Sequence, residues 1–243
     1  MYFGSNCYNA ERVQFDRTQS IKECGRGNLL IHGTSGSGKT QLCQREIKEL
    51  EALNIPVRVF YFLPDERKEK EAVKDHFYSY MNGSSRIDFR LQGYRDINEQ
   101  FFKINDIIKP SAADPNVLTY IYIDDFDWME RDKLEELLYL MMVSDGTRTV
   151  FTICTRYLNP EETYNGLYPY LNGIVILGPF IYFPDDRYLM ERHLNQEEQS
   201  TFRFLQYHTD FKFFGVLCET WKNERKNRLF YTDPRSLPYR DFI

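Results

Sequence analysis

Residues Leu29 to Thr40 read LLIHGTSGSGKT: a short apolar run, then Gly33-Thr34-Ser35-Gly36-Ser37-Gly38-Lys39-Thr40, which fits GxxxxGK[ST] at every fixed position. The spacing suits a strand that ends in a loop whose backbone N–H groups turn inward around a phosphate, a path that glycine-rich backbone permits. Lys39 is then expected to reach the β- and γ-phosphates, and Thr40 to hold Mg²⁺ through its hydroxyl. The helix that begins there points its positive end at the same anion. Residues Gly33 through Gln41 therefore form the expected ATP cradle. Apolar Leu29, Leu30 and Ile31 precede the loop as a buried strand, and residues 41–52 follow as a charged helix with Leu42, Ile47 and Leu50 facing inward.

Working downstream, residues 57–63 (VRVFYFL) form a second β-branched and aromatic strand, with Pro64 closing it. The charge-rich run DERKEKEAVKD opens a helix over 65–80. Residues 86–91 alternate as a half-buried strand, and Ile97, Phe101, Ile104 and Ile108 recur at helical spacing over 96–108. A proline-containing loop at 109–116 leads into Val117 to Asp127 (VLTYIYIDDFD), an apolar strand that ends in the adjacent carboxylates Asp124 and Asp125. A buried parallel strand delivers its carboxyl end to the crevice where open α/β sheets bind ligands. This pattern is of Walker B type: Asp124 is expected to support the Mg²⁺ shell, and Asp125 to orient or deprotonate the attacking water.

A helix over 131–143 with Leu134, Leu137, Leu138 and Met141 inward, the turn Asp145 to Arg148, and a buried strand at 149–154 come next. Thr155 closes that strand, where a γ-phosphate sensor would sit, or where a threonine caps the helix expected from Pro160. Residues 173–177 (GIVIL) are a fifth core strand; 185–193 and 196–207 are helices; 211–218 and 228–231 are strands joined by a hairpin turn at 222–226.

The outer limits follow from composition. A chain of 243 residues carries one α/β domain, here 27–231, with an arm at 1–26 outside the nucleotide core and a surface tail at 232–243. The 31 Lys+Arg against 36 Asp+Glu give a net charge of −5, so contact with DNA would need a local patch or an assembled ring. Five cysteines are scattered without metal-ligand spacing among the four histidines, and are expected as reduced thiols. The opening residues lack a signal pattern, and no apolar run suits membrane insertion, which points to a cytosol-like compartment.

The ordered set GTSGSGKT, YIYIDDF, GTRTVFTICTRY and NGIVILGPF resembles the genome-packaging ATPases of large DNA viruses, the poxvirus-type branch of the FtsK/HerA superfamily. The resemblance runs from Asn28 to Tyr231. It implies the P-loop class with an additional strand and a catalytic acid, a mostly parallel sheet flanked by helices, and a short C-terminal hairpin. It also implies a homo-oligomeric ring, hexamer or pentamer, that drives double-stranded DNA into a preformed capsid through vertex or portal proteins, in host cytoplasm or a viral factory. A Gly-Arg element of that family falls on Gly146 and Arg148, with Thr147 between them. Arg148 becomes an arginine finger for a neighbouring subunit, with Arg156 as the competing candidate. The family's sensor glutamine is Thr155 here, and its asparagine ahead of the next strand falls on Asn172. Alternatives are another ring ATPase, such as a helicase or AAA+ remodeller, or a nucleotide-binding switch or scaffold without steady turnover.

Overall fold

The computed structural model describes residues 1–9, 11–53, 55–64, 87–94, 97–108, 116–124, 126, 131–157, 164–178, 184–207, 214–220 and 227–231. Its strands are β1 (Tyr2–Asn6), β2 (Arg12–Gln14), β3 (Leu29–His32), β4 (Val57–Pro64), β5 (Ile87–Tyr94), β6 (Leu118–Ile123), β7 (Thr149–Thr155), β8 (Gly173–Leu177), β9 (Phe214–Glu219) and β10 (Asn227–Tyr231). They form one ten-stranded sheet in the order β2-β1-β10-β9-β8-β3-β7-β6-β4-β5. From β8 to β5 every pairing is parallel. From β8 outward through β9, β10, β1 and β2 every pairing is antiparallel. The α/β fold with a mixed, mostly parallel sheet is thus the P-loop NTPase architecture, and β7 is the additional strand between the P-loop strand β3 and the Walker B strand β6.

Strand alternation divides the core into two faces. On β4, Val57, Val59, Tyr61 and Leu63 join Tyr120 and Tyr122 of β6 under α2 (Lys39–Leu50), which contributes Leu42, Cys43, Ile47 and Leu50. The intervening Phe60, Phe62, Ile121 and Ile123 face the other layer. That layer holds α3 (Ile97–Ile108), α4 (Arg131–Val143), α5 (Pro184–His193) and α6 (Gln196–Tyr207). Helix α4 buries Leu137, Leu140 and Met141 there. Because side chains alternate at period two, the polar residue that follows β6, Asp124, falls on the α2 face.

The first 26 residues are not an arm outside the core. β1 pairs with β10 and β2 with β1, so they complete one edge of the sheet, and Phe3, Val13 and Phe15 are buried. Phe3 lies against Phe230 with ring centroids 5.3 Å apart. Helix α1 (Arg17–Cys24) starts at an Asp16 cap whose side chain accepts from Gln19 N–H, and it ends at Gly25 with φ +73°. Arg17 then turns inward. Its guanidinium holds Glu46 of α2 through Nε–H to Oε1 at 2.6 Å and Nη2–H to Oε2 at 2.9 Å.

Two asparagines lock the end of the sheet remote from the P-loop. Asn172 Oδ1 accepts from Asn28 N–H at 3.0 Å, and Asn28 Oδ1 accepts from Phe151 N–H at 2.9 Å, which joins the approaches to β3, β7 and β8. The expected helix over 65–80, most of the loop at 109–116, the hairpin turn at 222–226, the tail 232–243 and Asp125 lie outside the described residues. Among the described residues no helix is long and apolar enough to cross a membrane.

Candidate nucleotide site

β3 lies between β7 and β8 in parallel register, so the loop after His32 emerges at the carboxyl edge of the sheet. Gly36 and Gly38 take φ +79° and +94°, backbone that side-chain-bearing residues rarely adopt. Gly33 is required for space: a Cβ there would lie 2.6 Å from Ser37 Oγ and 2.9 Å from Leu177 Cβ. The loop is tied down by Gly33 N–H to Thr155 O at 3.1 Å and Ser37 N–H to Thr34 O at 3.2 Å. Lys39 Nζ donates to Gly33 O at 2.6 Å and Thr34 O at 2.9 Å, so the ammonium is held within the loop's own curve. Ser35 and Gly36 form the exposed crest, while Thr34, Ser37 and Lys39 are buried.

Three observations fit this loop to a triphosphate. The N-cap of α2 is Gly38, which offers no side-chain cap, so the positive end of the helix opens on the loop, where a phosphate is favoured. The buried Ser37 Oγ and Gln41 Oε1 have no hydrogen-bond partner among the described residues. Lys39 supplies the buried cation. The metal position fits as well. Thr40 Oγ1 donates to Asp124 Oδ2 at 2.8 Å across 84 positions of sequence, and a hydroxyl beside a carboxylate is the hard-oxygen donor set that Mg²⁺ prefers. Among the described residues no group of three or more His, Cys, Asp or Glu is placed to hold a metal ion. Thr40 and Asp124 are the residues that would hold Mg²⁺ beside the phosphates, the usual manner for that ion.

A residue unmarked by any motif also reaches Asp124. Tyr61 of β4 donates its hydroxyl to the same Asp124 Oδ2 at 3.0 Å. Burial first, and then the charge of Asp124, push the Tyr61 hydroxyl well above its ordinary value, so it stays protonated. Beneath the loop, Cys43 of α2 and Cys154 of β7 meet at 3.4 Å between sulfurs. The hydrogen bond between them, then burial, raises the Cys154 thiol well above its usual value.

The remaining expected site residues are distributed along β7. Thr155 pairs with His32 at the P-loop edge, and its hydroxyl donates to Tyr157 O. Arg156 follows at that same edge and is half-buried. Arg148 precedes β7 at the opposite edge, about 23 Å away for seven residues at ~3.3 Å each. Its φ is +58°, after Gly146 at +76°, and its carbonyl accepts from Thr119 N–H at 3.0 Å. A side chain there stands at the edge of the sheet away from its own P-loop.

Residues 22–160, more than half of the chain, match the AAA domain family. The chain belongs to that family. The matched span holds the P-loop, the Walker B strand and β7, and makes this an ATP-binding P-loop ATPase domain. No curated protein matches the chain by sequence. The cytoplasmic domain of the type VII secretion ATPase EccC from Thermomonospora curvata is similar in structure, with a TM-score of 0.64 and 12% identity over 96% of this chain. The AAA chain spans only 28% of that protein's length. The DNA-packaging ATPase B204 of Sulfolobus turreted icosahedral virus gives a TM-score of 0.55 at 15% identity, covering 82% of this chain and 95% of B204. B204 of Sulfolobus turreted icosahedral virus 2, in complex with ATP-gammaS, gives 0.50 at 11% identity, with 86% and 98% covered. At these identities the likeness is one of fold.

Proposed function

We propose that this AAA domain is the ATP-hydrolysing subunit of a ring, hexameric or pentameric, that moves double-stranded viral DNA into a preformed capsid. The observation that carries the reading is the likeness in fold to the DNA-packaging ATPase B204, which covers 82% of this chain and 95% of B204. In this reading Arg148, which precedes β7 at the sheet edge remote from its own P-loop, acts on the nucleotide of a neighbouring subunit. The net charge of −5 agrees with DNA contact confined to a pore lined by a few residues from each copy. In this account Lys39 neutralises the phosphates, Thr40 and Asp124 hold Mg²⁺, and Asp125 takes the water's proton. Thr155 then stands where the γ-phosphate would be sensed. Capsid vertex or portal proteins are the docking partners, in host cytoplasm or a viral factory.

EccC favours a second reading, a ring ATPase that acts on protein rather than on DNA. ATP turnover measured with and without linear duplex DNA separates the two. Stimulation of several-fold, with closed rings by electron microscopy in ATPγS and Mg²⁺, supports the packaging motor. Rings whose turnover ignores duplex DNA favour the second reading, and a monomer under all conditions contradicts both.

A further inference from the structure

We infer that the Tyr61 hydroxyl is a positioning group for the Walker B carboxylate, setting how tightly the site takes Mg²⁺; this rests on the nucleotide-site reading above. Tyr61 is fully buried, and its ring stacks on Tyr122 with centroids 5.5 Å apart at 17°. The β4–β6 register places these two tyrosines side by side, and Asp124 N–H donates to Phe62 O at 3.0 Å, so the backbone on both sides of the contact is fixed. Asp124 is thereby gripped from two directions. Thr40 reaches Oδ2 from α2 at 2.8 Å and Tyr61 reaches the same oxygen from β4 at 3.0 Å. Two donors converging on one oxygen fix the carboxylate plane, and with it the direction of the other oxygen. Partners behind a metal-binding carboxylate commonly govern metal affinity by about 10- to 100-fold.

The test is the affinity for ATPγS, by calorimetry, with Mg²⁺ and with EDTA, in the full chain and in two variants. Tyr61→Phe removes one oxygen and keeps the ring that packs on Tyr122. Tyr122→Phe is the matched control, since that hydroxyl donates to Glu46 Oε2 at 2.7 Å and not to Asp124. Melting temperatures establish that both variants fold. The expected result is a Mg²⁺-dependent gain in ATPγS affinity about 10-fold smaller in Tyr61→Phe, with EDTA values unchanged and Tyr122→Phe like wild type. The inference is overturned if Tyr61→Phe keeps the whole Mg²⁺ effect, if it loses affinity equally in EDTA, or if Tyr122→Phe loses as much. A wild-type chain that binds ATPγS identically with and without Mg²⁺ overturns instead the reading on which the inference rests.

Discussion

Replacing Arg17 with methionine is expected to unsettle the molecule more than its place ahead of the P-loop suggests. Arg17 and Glu46 each leave only 2% of their side-chain surface exposed. Besides the two bonds to Glu46, Arg17 Nη1–H donates to Gly27 O at 2.7 Å and Phe151 O at 3.2 Å, and Nη2–H donates to Thr152 Oγ1. Glu46 also accepts from Tyr122 at 2.7 Å. One ion pair thus fastens α1, the P-loop helix, the Walker B strand and β7. Arg17→Met strands the Glu46 carboxylate without its bidentate partner, which costs about 3–5 kcal/mol for a buried pair. For a chain of this size that is a fall of roughly 6–20 °C in melting temperature. The double variant Arg17→Met/Glu46→Leu is expected to recover part of the loss, because it removes the stranded charge while the carbonyls of Gly27 and Phe151 lose their donor. Calorimetry of the three proteins at pH 7 decides it. If Arg17→Met melts within about 2 °C of wild type, or if the double variant is the least stable, the pair does not fasten these elements.

Asp125→Asn should bind ATP with unchanged affinity and fail to turn it over, because an amide preserves shape without accepting the water's proton; filter binding beside a phosphate-release assay checks this. Arg148→Ala should bind ATP normally and hydrolyse it about 10³-fold or more slowly. Mixing it with Lys39→Ala subunits, which bring an intact Arg148, should restore turnover in shared rings, whereas rescue of Arg156→Ala alone would transfer the role to Arg156. Burial raises the Glu46 carboxyl, but the charge and hydrogen bonds of its partners, Arg17 foremost, hold it below its ordinary value. As pH falls the unfolded chain therefore takes the proton first, and the stability due to Glu46, present above its ordinary range, is lost as pH drops through its folded value. Urea melts from pH 7 to pH 3 should show that loss in wild type and a shallower acid limb in Glu46→Gln.

Motifs that need a fixed local backbone were legible in the sequence. The P-loop spacing, the apolar strand ending at Asp124, and the β9 and β10 segments all appear at or near the expected residues. The edge strands were not, because three to five residues such as RVQ or YFGSN are too short to show a period. They join the sheet because β1 pairs with β10, more than two hundred positions away in the chain, and β2 pairs with β1. Tyr61 was hidden for a related reason. Within VRVFYFL it is one aromatic among several, and only the β4–β6 register brings its hydroxyl to Asp124. Arg17 and Glu46 sit in polar stretches that suggest solvent, and nothing local announces that the two charges meet in the core. Arg148 lies in the turn that its sequence neighbours suggest, yet its distance from the P-loop depends on β7 running parallel to β3.

The most direct test of the account is steady-state ATP hydrolysis by the purified chain with Mg²⁺, wild type beside Lys39→Ala. Lys39 is the buried cation of a loop built around phosphate, so the variant should lose at least about 10²-fold in turnover while it melts as a folded protein. Turnover in Lys39→Ala close to that of an active wild type, or a well-folded wild type that hydrolyses no ATP under any condition, would contradict the assignment of this loop as the catalytic nucleotide site.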